Sequence, residues 1–406
     1  MPGVTGNIYF LRVDTSIIID GCCIRLFTMP SFCNREFRSM KALLPLLLAC
    51  MLLLTNFCQA QSNNAKAEIR TTKIFDDGLY NCFTDLVQFH KVYYCTFRSA
   101  ISHGDPDSGV TGKIVVIRSK DLTDWEEVGR FEVSGVDLRD PKLCVSPEEI
   151  RVYAVAGAKS EAGILQYHAT TWGSTDGGTW SKPKAICPGY IFWRPKWQSG
   201  RFYVPAYLRR PGYCSVDLLV SENGEDWRVH STPIPPVEHQ NETLWANECD
   251  LLFLANGESL LFARRNQGHG QPNPEFADLG GFRHGYVGRS STPLMSTWET
   301  LNEDVYFHAP AALLHRGKIY LAGRDMVKLP NGATETCRLW EFDQSTGFTE
   351  IATFETRGDC SYPGIVSVSD DEIAVSYYSC HEGMTAYFDK PGKSDVYLAR
   401  VTLRSP

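Results

Sequence analysis

From residue 67 to residue 405 the chain is written in short apolar or alternating runs. Examples are "GKIVVIRS" (112–119), "RVYAVAGA" (151–158), "RFYVPAYLR" (201–209), "SVDLLVS" (215–221), "SLLFARR" (259–265), "KIYLAGR" (318–324), "IAVSYYS" (373–379) and "DVYLARVTL" (395–403). Gly, Asn, Asp and Pro punctuate them, as they do between strands. No stretch of this region carries a helical period. The pattern therefore predicts an all-β protein, and at this length a barrel, a sandwich or a propeller.

A repeat narrows the choice. "SKDLTDWEE" (119–127), "STDGGTWSK" (174–182), "SENGEDWRV" (221–229) and "STPLMSTWET" (291–300) share one form: Ser, a polar turn, then Trp. Successive Trp residues lie 55, 47 and 71 positions apart. The polar residues close a tight turn between two strands and the Trp anchors it. A unit of this size predicts a radial array of about six blades. "AEIRTTKIF" (67–75) and "DVYLARVTL" (395–403) stand at opposite ends and are expected to share the closing blade, which would leave no open sheet edge.

The first 60 residues do not fit that array. "MKALLPLLLACMLLLTNFCQAQ" (40–61) has a Lys, an apolar core and a small-residue exit at Cys58-Gln59-Ala60. This is the grammar of a secretory signal, with Met40 as the initiator, and cleavage would leave no stable membrane anchor. The expected domains are thus an upstream and signal segment, 1–60, and one propeller, 61–406; the protein is expected to be secreted or periplasmic. The formal charge of −7 over 406 residues becomes −9 without that segment, so no nucleic-acid or polybasic membrane role is indicated. Nine of the fourteen cysteines remain, scattered and without a CxxC pair. No metal site or cofactor is expected, and most of these thiols are expected in the core.

The turn Ser174-Thr175-Asp176-Gly177-Gly178-Thr179-Trp180 resembles the Asp-box, or BNR repeat, of the sialidase (neuraminidase) superfamily; the other three turns are degenerate forms. The resemblance implies a six-bladed β-propeller. Two further segments are similar to that family. In "NECDLLFLANGESLLFARR" (247–265), Glu248, Gly257 and Arg264 follow the order and spacing of the family's Asn-Glu hairpin. "GDCSYPGIV" (358–366) resembles the segment that carries its nucleophilic tyrosine, which places that role on Tyr362 with Glu248 as its proton acceptor. A neutral phenol suits a substrate whose anomeric carbon already bears a carboxylate, because an anionic nucleophile would be repelled.

The resemblance also implies three arginines on the substrate carboxylate. Arg264 matches the second. Arg338 is the better match for the third, and Arg324 competes with it. The first falls on Cys82 or Asn81 in "YNCFTDL" (80–86), where no arginine stands. Arg98 matches a further pocket arginine, while Arg139 and Arg194 close comparable inner strands and are candidates for pocket contact. The general acid is sought in the loop "SAISHGDPDSG" (99–109), at Asp105 or Asp107, with His103 beside them and with Asp140 and Asp85 in reserve. His381-Glu382 reads as a structural loop. The implied activity is removal of a terminal, acidic sugar from a glycan by a secreted exo-glycosidase. The alternatives are a carbohydrate-binding or scaffold propeller without chemistry, and a five-bladed glycosidase using three carboxylates, which the Asp-box spacing and the tyrosine segment oppose.

Overall fold

The computed structural model describes residues 67–104, 109–159, 165–210, 213–235, 238–239, 242–267, 283–305, 307–329, 332–382 and 393–403, together with an isolated hairpin, Ser16–Ile19 against Cys22–Arg25. The segment 40–61, Asp105 and Asp107 lie outside the described residues. The chain divides into two compact units, Met1–Ala65 and Lys66–Pro406. The second is a six-bladed β-propeller.

Each blade is an antiparallel sheet whose first strand lies innermost. Those inner strands are Tyr80–Phe89, Asp137–Val145, the split pair Tyr190–Phe192 and Lys196–Gln198, Glu242–Phe253, His308–His315 and Cys360–Ser369. As the two ends of the sequence suggested, Ala67–Phe75 pairs antiparallel with Asp395–Leu403 and completes the sixth blade. This closure ties the first strand of the ring to its last and removes the free edge.

Blades stack face to face, so their middle strands are buried on both sides. That is why Ile114, Val115, Val116 and Ile117 are all at most 1% exposed, and why the sequence shows continuous apolar runs instead of strict alternation. Apolar clusters fill the gaps between neighbouring blades. Tyr320, Leu339 and Phe354 of the fifth blade, for instance, pack on Val375, Tyr377 and Tyr397 of the sixth. The Ser-and-Trp turns lie at the far end of the sheets. Ser174 Oγ accepts from Gly177 N at 2.8 Å and Asp176 Oδ1 accepts from Thr179 N at 2.7 Å. Ser119 with Asp121 and Ser221 with Asn223 repeat the pattern. Trp180 Nε1 then donates to Val128 O at 2.9 Å and pins the second blade to the first.

Candidate active site

The inner strands share a defect. Pairing slips between Cys82 and Asp85, Arg139 and Lys142, Ala246 and Cys249, His308 and Ala311, and Ser361 and Gly364; the third blade's inner strand is interrupted between Phe192 and Lys196. Four of these six places read X-Pro: Asp140-Pro141, Arg194-Pro195, Ala309-Pro310 and Tyr362-Pro363. Proline has no N–H to give to a ladder, so pairing must break there. Phe83, Asp140, Ala309 and Tyr362 take left-handed φ angles of +62°, +47°, +47° and +44°. Such bulges redirect side chains, and around a ring they redirect them toward one place.

At that place stand Glu248 and Tyr362. Tyr362 Oη donates to Glu248 Oε1 at 2.5 Å. Arg264 Nη1 donates to the same oxygen at 2.6 Å, and Ala309 N donates to Oε2 at 2.9 Å. The hairpin explains Arg264. Glu248 sits in the bulge of Glu242–Phe253, the chain turns at Gly257 with φ +87°, and Ser259–Gln267 returns Arg264 to the level of Glu248. Glu248 is 4% exposed with three donors on its two oxygens, so it is placed to accept a proton rather than to attack. The Tyr362 ring lies 4.8 Å from Phe83 and 5.8 Å from Trp193, with the Arg324 guanidinium 5.1 Å above it. Burial, reinforced by the Glu248 carboxylate, pushes the Tyr362 phenol well above its ordinary range against the pull of both arginines.

Of the two candidates for a third arginine, Arg324 lies against the Tyr362 ring and Arg338 turns to Asp325. Arg324 pairs opposite Cys337, one step from the Gly323–Arg338 pair. That single step turns Arg338 to the other face, onto Asp325 at 2.5 Å and Glu350 at 3.5 Å. Arg324 Nη2 instead donates to Asp359 Oδ1 at 2.6 Å and to Tyr378 Oη at 3.1 Å. Arg98 and Arg139 do not reach Tyr362 either. Both converge on Asp137, at 2.9 and 3.0 Å, and Arg98 is wholly buried. Arg139 also holds the Gly104 carbonyl and lies 5.3 Å from the centre of the Phe83 ring.

Arg194, expected at the pocket, is an axle. It donates to the Asp85 carboxylate and to the carbonyls of Pro310 and Pro363, joining the third blade to the first, fifth and sixth. Asp85 also accepts from Leu143 N at 2.8 Å, which removes it as a general acid. A cavity of about 400 Å³ touches Arg194 and is otherwise lined by inner-strand residues C-terminal to the bulges, Asp85, Lys196, Asp250 and Ala312 among them, so it does not include Tyr362 or Glu248.

Asp140 gains what Asp85 loses. It is half-buried in its bulge and makes no hydrogen bond or ion pair among the described residues. Burial raises its carboxyl above the ordinary value, Glu248 adds to the rise, and Arg139, Lys142 and Arg98 oppose it. The sequence had kept it in reserve; the X-Pro recurrence, read as a repeat, would have brought it forward. Lys142, which the sequence did not single out, is 1% exposed, lies 4.8 Å from the centre of the Trp193 ring and donates to Pro141 O at 3.0 Å. Burial and the neighbouring Arg194 pull its ammonium down to about 8. His103 lies 5.4 Å from Phe83, with Nε2 3.9 Å from Asp359, and burial draws it down to about 4. His381, as expected of a structural loop, rests on Tyr397 at 4.5 Å while Glu382 holds Lys73 at 2.6 Å.

By sequence the chain matches no family model and no curated protein. By structure it is similar to Trypanosoma rangeli sialidase in complex with the inhibitor DANA, with a TM-score of 0.57 and 11% identity over 82% of this chain. It spans 59% of that sialidase's length. It is also similar to an alpha-L-arabinanase of Penicillium chrysogenum complexed with arabinobiose, with a TM-score of 0.54 and 15% identity over 82% of this chain and 98% of the other. An alpha-L-arabinofuranosidase from Fusarium graminearum in complex with an iminosugar inhibitor matches with a TM-score of 0.58 and 12% identity, over 84% and 99% of the two chains. At these identities the likeness is one of architecture: the chain has the six-bladed, sialidase-like propeller fold that these glycoside hydrolases share.

Proposed function

We propose that the protein is an exo-acting glycoside hydrolase that removes a terminal sugar with Tyr362 and Glu248 as its nucleophile pair. The observation that carries this reading is the 2.5 Å contact between Tyr362 Oη and Glu248 Oε1 in a buried setting. Tyr362 Oη attacks the anomeric carbon as its proton passes to Glu248. The glycosidic C–O bond breaks and the departing oxygen takes a proton from Asp140. Water then attacks the anomeric carbon, its proton returns to Asp140, the Tyr362–carbon bond breaks, and Tyr362 regains its proton from Glu248. Asp140 suits the acid role because its surroundings hold the carboxyl protonated above the ordinary range.

The resemblance to sialidases brings with it Asp-box turns and an acidic sugar such as sialic acid, and the signal pattern of the 40–61 segment favours export. The neighbours include arabinan-cleaving propellers as well as a sialidase, so the class of sugar turns on the arginines. A binding propeller without chemistry is the second reading, and Cys82 in place of an arginine is what favours it. A panel of fluorogenic glycosides, including sialosides, ketodeoxy acid glycosides, uronides and arabinofuranosides, separates the two. Release of fluorophore by the wild type, lost in Tyr362→Phe, is the expected result; equal turnover by the folded Tyr362→Phe variant would refute the nucleophile.

A further inference from the structure

We propose that the end of the sheets away from Tyr362 carries a second, non-catalytic glycan-binding site, in the cleft between the first and second blades. The proposal rests on the glycan part of the reading above and needs none of the Tyr362 chemistry.

A cavity of about 590 Å³ lies in that cleft, a size that suits a small ligand. Its walls are the turn joining Tyr80–Phe89 to Val92–Ala100, the Ser-and-Trp turn at 119–126, and Asp176 from the corresponding turn of the second blade. Phe89 pairs with Val92 at this end of the first blade, whereas the bulge that faces Tyr362 lies between Cys82 and Asp85. The wall from the second blade is set close. Gly177 has a φ of +68°, and a Cβ there would collide with Tyr94 Oη.

Trp125 distinguishes this turn from the other three. Trp180 Nε1 donates to Val128 O at 2.9 Å, Trp227 Nε1 to Gly224 O at 3.1 Å and Trp298 Nε1 to Met295 O at 3.2 Å. Trp125 Nε1 is enclosed and has no hydrogen-bond partner among the described residues. A buried N–H without an acceptor costs free energy, and a hydroxyl entering the cleft would remove that cost. A second flat surface is His90, stacked on Phe89 with ring centres 3.9 Å apart. Lys120 and Asp124 are exposed at the same cleft, and neither side chain makes a hydrogen bond or ion pair among the described residues.

A sugar ring has an apolar C–H face and a rim of hydroxyls that donate and accept. The indole and imidazole rings match the face, while Lys120 offers donors and Asp124 acceptors. Arg118 and Lys120 stand among Asp121, Asp124, Glu126 and Asp176, and a lining of both signs suits a row of hydroxyls better than a single ion.

The test uses an array of immobilised animal, plant and bacterial oligosaccharides, probed with the full chain carrying Tyr362→Phe so that captured glycans are not turned over. Capture of at least one oligosaccharide is expected, weakened about tenfold or more when Lys120→Ala and Asp124→Ala are added, the loss of one charge-assisted hydrogen bond. Both residues are exposed, so the fold does not depend on them. In the chain with Tyr362 intact, the same pair of substitutions is expected to leave turnover of small fluorogenic glycosides unchanged. Capture that ignores the pair, or no capture at all, overturns the inference even where Tyr362-dependent turnover is found. Self-association that the pair abolishes, without capture of any glycan, assigns the cleft to a second copy of the chain and also overturns it. Capture that depends on the pair while no glycoside is turned over removes the hydrolase reading and leaves this site standing.

Discussion

The contact between Tyr362 and Glu248 can be tested without knowing the sugar, through a double-mutant cycle on stability. The variants are Tyr362→Phe, Glu248→Gln and the two together. The phenol gives one of three donors to a carboxylate that is 4% exposed; Arg264 at 2.6 Å and Ala309 N at 2.9 Å supply the others. Tyr362→Phe therefore leaves Glu248 satisfied and the protein folded. A hydrogen bond to a charged group contributes about 1.5–3 kcal/mol, which sets the expected coupling between the two sites. Urea unfolding followed by tryptophan fluorescence measures each corner of the cycle. Coupling below about 0.5 kcal/mol, the scatter of independent sites, would show that the two groups do not interact. The same variants give a kinetic readout once a substrate is known. Groups that act as one unit are non-additive, so Tyr362→Phe alone is expected to lose on the order of 10⁴-fold in kcat and the double variant little more. Losses that multiply would refute the proton relay.

Three further outcomes are expected. Asp140 has a raised folded value, so the acid form persists above the ordinary carboxylate range and activity falls as pH rises through that value; Asp140→Asn should lose about 10²–10⁴-fold in kcat/KM and abolish that limb of the pH profile. Lys142 has a depressed folded value of about 8 against 10.5, so between the two the unfolded chain binds the extra proton and stability from this group rises with pH. Unfolding measured across pH 8 to 10.5 should show this rise in the wild type and not in Lys142→Met. Arg194→Met removes the cation from Asp85 at the centre of the ring and should cost about 3–5 kcal/mol in chemical denaturation, as breaking a buried pair does; a cost under about 1 kcal/mol would show that the axle is not structural.

The strands, the blade repeat and the Glu248–Arg264 hairpin were legible in the sequence because each rests on residues close along the chain; the shared closing blade, between segments at opposite ends, was legible because a ring of repeats leaves no open edge. Strands follow from runs of Val, Ile, Tyr and Phe between turn residues. A hairpin around Gly257 returns its Arg whatever else the protein does. Even the bulges were written locally, in the recurring X-Pro pairs, though their meaning was not.

What the tertiary structure alone decided is which charge meets which. Arg324 and Arg338 sit on neighbouring strands, one register step apart, and that step sends one over Tyr362 and the other to Asp325. Arg194 and Tyr362 occupy equivalent bulges in different blades, yet one became the axle and the other the candidate nucleophile. Asp359 neutralises Arg324 from a separate segment of the chain. The physical reason is the difference in range. Strand and turn preferences act over a few residues, whereas a buried charge is defined by the groups packed around it, and a propeller draws those from six separate strands.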